Sequence, residues 1–262
     1  MIEPDFEKVK FHVVIDALLD DDADFPIIYF PAFSDLEGDD LKLLLSVWNQ
    51  ITPARKTNLF ENLEIIHEND TLIDFNQIAK IALADDNAAI RAAGLRMLWE
   101  YEDEKYIPTL IELLKVDFDP IVRSQAAAAL GKYVYLGEIE EIHPDLLKLT
   151  EDSLLTAYQS SDDDIVRLKS LEALGYSSHD EVPAIINSAF NSGKYEWIAS
   201  ALVAMGRSVD ENWGSQVLSM LAHPDERIQK EAANAAGELE LKQARKLLLK
   251  LVLETEPDEE LW

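Results

Sequence analysis

Apolar and small side chains recur along the second half of the chain at helical spacing. Counting from Val122, they fall at Val122, Ala126, Ala127, Ala129 and Leu130, which together trace one wide helical face. The same slots hold Val166, Ser170, Leu171, Ala173 and Leu174, and later Ile228, Ala232, Ala233, Ala235 and Ala236. Each face sits inside a short phrase: a polar or acidic opener, an aliphatic, often Arg, then an Ala/Leu run closed by Gly. The phrase reads Asp119-Pro120-Ile121-Val122-Arg123 to Ala129-Leu130-Gly131, then Asp163-Asp164-Ile165-Val166-Arg167 to Ala173-Leu174-Gly175. Weaker copies end at Gly206 and Gly237, and a divergent one, from Asn87 through Ile90 and Arg91, carries Trp99 in the Gly slot. From Trp99 onward the intervals are 32, 44, 31 and 31 residues. A period of this size suits two helices of roughly 12 residues with their turns. One amphipathic hairpin cannot hide its own apolar faces, so the hairpins must stack.

The openers are helix-start signals. Asp119 is expected to cap a helix whose first residue is Pro120, where the missing N–H is harmless. Asp163, Asp225 and Asn87 occupy the same slot. Asp119–Arg123 and Asp163–Arg167 have the spacing of pairs within one helix. The closing Gly is read as a helix C-terminus that permits a left-handed turn. First helices of the pairs are predicted at 106–115, 144–159, 181–191, 211–221 and 242–253. The long interval carries an acidic insertion, roughly 134–147, read as a solvated loop or an extended helix. Residues 1–84 lose the phrase but keep helical periodicity near 5–19, 39–50, 53–67 and 75–84. The stretch Pro26–Phe33 holds two prolines and cannot form a long helix.

The expected fold is therefore all-α: a divergent helical cap over 1–84, then a single continuous solenoid of about five stacked pairs over 85–262. The last pair reads as incomplete. Pro257 to Trp262 opens like another second helix and stops, which predicts either a longer natural chain or end-to-end self-association through the C-terminal repeat.

These phrases resemble HEAT repeats, in particular the short HEAT-like class of the phycobilin lyases. The resemblance covers roughly residues 84–256. The layout, including Trp99-Glu100-Tyr101, the acidic insertion and Leu174-Gly175-Tyr176-Ser177, is similar to bacterial HEAT-repeat domain proteins. It implies a right-handed α-α superhelix. It also implies that Asp119, Asp163, Arg123 and Arg167 form ladders between neighbouring units, interrupted at the departures Asn87, Ile198 and Gln229. HEAT proteins are mostly protein-binding scaffolds, although a fold does not dictate a function.

Composition narrows the partners. The 262 residues carry 51 acidic and 23 basic side chains, a formal charge of −28. That sign repels phosphate backbones and anionic lipid, and favours basic or apolar protein partners. There are no cysteines, which removes disulfides, thiolate metal sites and Cys nucleophiles. No signal peptide or membrane span is legible, so the expected location is cytoplasmic.

No reaction chemistry is legible. His12, His67, His143, His179 and His223 are scattered, and read as solvated or capping side chains. The run Asp20-Asp21-Asp22-Ala23-Asp24 lacks the central Gly and the closing Glu of a calcium loop, and reads as a solvated acidic loop. No catalytic, cofactor or metal residues are assigned. The first reading is a non-catalytic scaffold that binds a protein or peptide on a concave face of second helices. Its candidate residues are Arg96, Gln125, Lys169, Glu172 and Glu231, with Asp119, Arg123, Asp163, Arg167 and Asp225 as structural ladder and cap positions. The alternative is a HEAT-like enzyme, glycosylase-like on DNA or lyase-like on a bilin. The alternating signs on that face weigh against nucleic acid. Aromatics at 99, 101, 133, 135 and 176 read as packing against neighbouring turns, or as a ridge for a peptide.

Overall fold

The structure, a computed structural model, describes residues 9–69, 72–98 and 101–254, with side chains through 249. Every regular element among the described residues is helical. The chain divides into two compact units, Met1–Glu102 and Asp103–Trp262.

The first unit holds α1 (Phe11–Leu19), α2 (Gly38–Val47), α3 (Pro53–Asn69), α4 (Asn76–Leu83) and α5 (Ala88–Met97). The expected helix at 5–19 starts at Phe11, and residues 1–8 lie outside the described part. Pro26 and Pro31 confine the apolar stretch between α1 and α2 to a tight 3₁₀ segment, Ile27–Phe33. Its phenylalanines turn inward, with Phe25–Phe30 and Phe11–Phe33 meeting edge to face at 5.1 and 5.7 Å. The acidic loop 20–24 is pinned: Arg55 donates to the carbonyls of Asp20 and Ala23, and Thr52 to the Asp21 carboxylate at 3.0 Å.

The second unit is a series of hairpins. First helices are α6 (Ile107–Val116), α8 (Pro144–Ser160), α10 (Val182–Phe190), α12 (Gly214–Met220) and α14 (Arg245–Glu254). Second helices are α7 (Pro120–Glu138), α9 (Asp164–Leu174), α11 (Tyr195–Arg207) and α13 (Glu226–Glu238). Each second helix packs on its own first helix, and α7, α9 and α11 pack on the next second helix as well. The acidic insertion is helix on both sides: α7 runs to Glu138 and α8 begins at Pro144, leaving a short turn. The faces read from the sequence are buried throughout on α7 and α9; on α13 only Ala233 is half-exposed.

The phrase-closing glycines need correction. None of Gly131, Gly175, Gly206 and Gly237 is left-handed; Gly38 and Gly193 are the glycines with positive φ. Gly131, Gly206 and Gly237 lie inside helices, and Gly175 ends α9 at φ −55°. At Gly131, Gly175 and Gly206 the missing Cβ gives clearance; at Gly237 nothing lies within 4 Å. A Cβ on Gly131 would lie 3.1 Å from the Ala173 Cα, and one on Gly175 would lie 2.6 Å from the Ala204 Cα. Consecutive second helices thus meet backbone to backbone through Gly and Ala. The left-handed turns fall instead on Glu140, Val209 and Glu240, just past α7, α11 and α13. There the N–H groups of Glu141 and Leu241 close helix ends on the Leu136 and Ala236 carbonyls at 2.8 and 3.0 Å.

Trp99, and the closing phrase at 257–262 with the self-association expected of it, lie outside the described residues.

Candidate functional site

The second-helix layer of the second unit is where four of the five partner-binding candidates sit. Gln125 lies on α7, Lys169 and Glu172 on α9, and Glu231 on α13, all half-buried. One turn of α9 brings Lys169 and Glu172 together: the ammonium donates to Glu172 Oε2 at 2.7 Å. Ser200 of α11 donates to Glu172 Oε1 at 2.6 Å, and Arg207 donates to the Glu172 carbonyl at 2.8 Å. Glu172 is therefore a strut between hairpins, with its side chain only 12% exposed, while Lys169 at 40% stays open to solvent. Glu231 accepts from Asn234 at 3.3 Å. Arg96 belongs to the first unit, where both its Nε and Nη2 donate to Glu64 at 3.1 and 2.8 Å.

Cap and ladder positions divide by role. Asp119, Asn87 and Asp225 each accept from the backbone N–H two residues on, at 2.8, 2.8 and 3.0 Å. Asp163 does not cap α9; its carboxylate takes the Arg123 guanidinium of the preceding second helix. Arg123 so links neighbouring units rather than pairing with Asp119. Arg167 takes its acid from its own helix instead. It donates to Asp164 at 3.2 Å and lays its guanidinium 4.7 Å from the Trp197 ring centroid of the next hairpin.

The Arg slot has a further duty that its spacing did not reveal. Arg91, Arg123 and Arg167 each donate to a carbonyl of the turn or helix end that precedes them: Asp85 at 2.8 Å, Asp117 at 2.8 Å and Tyr158 at 2.9 Å. Gln229, in the same slot, donates to the Leu221 carbonyl at 3.0 Å. Carbonyls left over at the end of a first helix are satisfied by the second helix of the same pair. At Asp225, Arg227 holds the carboxyl down to about 2 through a paired hydrogen bond, with its N–H groups at 2.8 and 3.2 Å.

Two buried polar clusters were missed, because each joins residues far apart in sequence. In the first unit Asp85 accepts from Lys56, from the Trp48 indole at 2.7 Å and from the Asn87 backbone at 2.8 Å. Burial alone would raise the Asp85 carboxyl, but the Lys56 hydrogen bond, the Asn87 N–H, the lysine charge and the indole together hold it below its ordinary value. In the second unit Glu151 of α8 is buried and accepts from Ser177. Burial pushes its carboxyl up, with the Glu138 charge adding to the rise and Ser177 and His179 opposing it.

Three of the five histidines serve helix starts. Nδ1 of His143, His179 and His223 accepts from the backbone N–H two residues on, at 3.2, 3.2 and 3.1 Å. His67 departs from the solvated reading: it stacks on Tyr101 at 5.9 Å, and both ring nitrogens are buried without a hydrogen bond. Among the described residues no group of three or more His, Asp and Glu could hold a metal ion, and no helix is long and apolar enough to cross a membrane. Of the aromatic positions, Tyr133 is buried, Tyr135 and Tyr176 meet edge to face at 5.6 Å, and Arg207 lies over Tyr176 at 5.0 Å.

One cleft opens at the turn edge of the second unit. It has a volume of about 370 Å³ and lies between the C-terminal ends of α6 and α8, with Leu114, Ala157 and Val166 in its wall.

A family model described as HEAT repeats matches residues 76–175, from the first residue of α4 to the glycine that ends α9. No curated protein matches. Among solved structures, the crystal structure of an engineered protein from a structural-genomics programme is similar, at 15% identity and a TM-score of 0.39. The alignment covers 82% of this chain and 96% of that one.

Proposed function

With HEAT repeats over residues 76–175 as the premise, we propose that this chain is a non-catalytic scaffold that holds a protein partner on the face of its second helices, in the cytoplasm. HEAT repeats generally mediate protein–protein interaction. One observation carries the choice of face: second helices meet through Gly131–Ala173 and Gly175–Ala204, where an added methyl group would press on or strike the facing Ala backbone. Helices drawn that close on one side of a stack favour curvature toward that side, which supports reading it as the inner face. Gln125, Lys169 and Glu231 offer half-open polar groups there.

The nucleic-acid enzyme reading needs a basic stripe. The cations among the candidates are instead neutralised, Lys169 by Glu172 and Arg96 by Glu64. That favours a protein partner over a phosphate backbone.

The test is affinity capture from the native host with the full chain and with the combined variant Gln125→Ala, Lys169→Ala and Glu231→Ala. These side chains are half-open, so the variant should melt within a few degrees of wild type. Loss of specific co-purifying proteins is expected. Capture of the same set by both chains would remove the assignment of this face.

A further inference from the structure

We propose that the turn edge where α6, α7, α8 and α9 meet is a docking site for a polypeptide segment that carries a Lys or Arg beside a large apolar residue. It rests on the scaffold reading but names a different surface from the second-helix face.

Phe118 is the first observation. It lies in the turn between α6 and α7 and is 98% exposed. The turn is not loose: Arg123 donates to the Asp117 and Phe118 carbonyls at 2.8 and 3.4 Å, and the Asp119 N–H is held by the Asp117 carboxylate at 2.9 Å. The backbone is fixed with the ring outward. Val116 and Ile121 on either side, and Ile165 at the start of α9, are exposed as well. Exposed apolar side chains on an ordered turn suit an interaction surface.

The adjoining cleft supplies the second observation. Its α8 wall presents Ser153, Thr156 and Ser160, whose hydroxyls already donate to the Leu149, Asp152 and Thr156 carbonyls at 2.7, 2.7 and 2.6 Å. Only their lone pairs are left to face the cleft, so the wall accepts hydrogen bonds and offers few. Asp162 at the mouth is an exposed carboxylate, and Arg123 in the lining is already paired with Asp163. Lys115 is the opposing charge on the α6 side. A donor-rich cation fits this wall, with its apolar neighbour on the Phe118 ring.

Charge selects among occupants. A net −28 opposes a second copy of this chain and an anionic bilayer, and attracts a basic segment.

The test is selection of random peptides displayed against the full chain, then fluorescence anisotropy of the selected peptides with Phe118→Asp, Asp162→Lys and the pair Gln125→Ala, Lys169→Ala. Both edge side chains are exposed, and thermal melts confirm that the variants fold. Peptides rich in Lys or Arg next to Leu, Phe or Trp are expected. Each edge variant should weaken their binding roughly tenfold or more, and added salt should weaken it further. Selection of no peptide, or of peptides indifferent to both edge variants, overturns the proposal. Peptides lost only in the Gln125/Lys169 pair also overturn it, while leaving the second-helix face standing. A Phe118-dependent dimer in sedimentation would overturn it in favour of self-association.

Discussion

Gly131, Gly175 and Gly237 fill one slot of the repeating phrase, yet a methyl group would meet a different fate at each. At Gly237 nothing lies within 4 Å, because no further second helix packs there among the described residues. Gly237→Ala should therefore stabilise the chain by about 0.5–1 kcal/mol through helix propensity alone. Gly175→Ala should destabilise it by about 1–3 kcal/mol, since the new Cβ would strike Ala204 backbone at 2.6 Å. Gly131→Ala, at 3.1 Å, should fall between them. Chemical denaturation of the three variants orders them, and equal effects would show that clearance is not what selects Gly. Val209 is the converse case, a β-branched residue at φ +50° and 70% exposed. Val209→Gly should raise stability by about 1 kcal/mol by relieving a left-handed backbone without loss of packing.

At the scale of elements, polar side chains tie helices that hydrophobic pattern only brings near. Lys56 on α3 and Asp85 in the α4–α5 turn form a buried ion pair, both side chains under a tenth exposed. Asp85→Asn leaves the ammonium buried without its counter-charge and should cost about 3–5 kcal/mol. The Asp85 carboxyl is held below its ordinary 3.8, so the unfolded chain binds the proton first. Stability from this pair is present above about that pH and is lost as pH falls through the folded value. Glu151 has the opposite sign. Its folded carboxyl titrates above the ordinary 4.5, so the folded chain holds the proton longer and stability falls as pH rises through that window. Glu151→Gln should flatten this fall in a pH series of thermal melts; an unchanged slope would show that Glu151 is not its source.

Across the whole molecule net charge outweighs any single ion pair. With 51 acidic against 23 basic side chains, self-repulsion opposes compaction. Raising the salt concentration shortens the screening length from about 30 Å at 0.01 M to about 8 Å at physiological strength. The Tm should rise across that range. A Tm that falls with salt would mean that the paired charges, such as Lys169–Glu172 and Arg123–Asp163, together exceed the net repulsion.

Periodicity by itself determined the helix positions, because a buried face must repeat every 3.6 residues whatever lies opposite it. That is why Val122, Val166 and Ile228, their openers and the predicted first helices were legible, and why the fold was. Tertiary structure decided what short-range pattern leaves open: which backbone each glycine faces, which acid each arginine meets, and which distant carboxylates are buried together. Gly175 signals a left-handed turn to any local reading, and only the Ala204 backbone against it shows that it serves close approach. Asp163 reads as a cap, and only Arg123 from the preceding helix makes it a tie between hairpins. The candidate face was legible as polar slots, but its pairing was not, since Glu172 finds Ser200 at a separation that no helical repeat encodes.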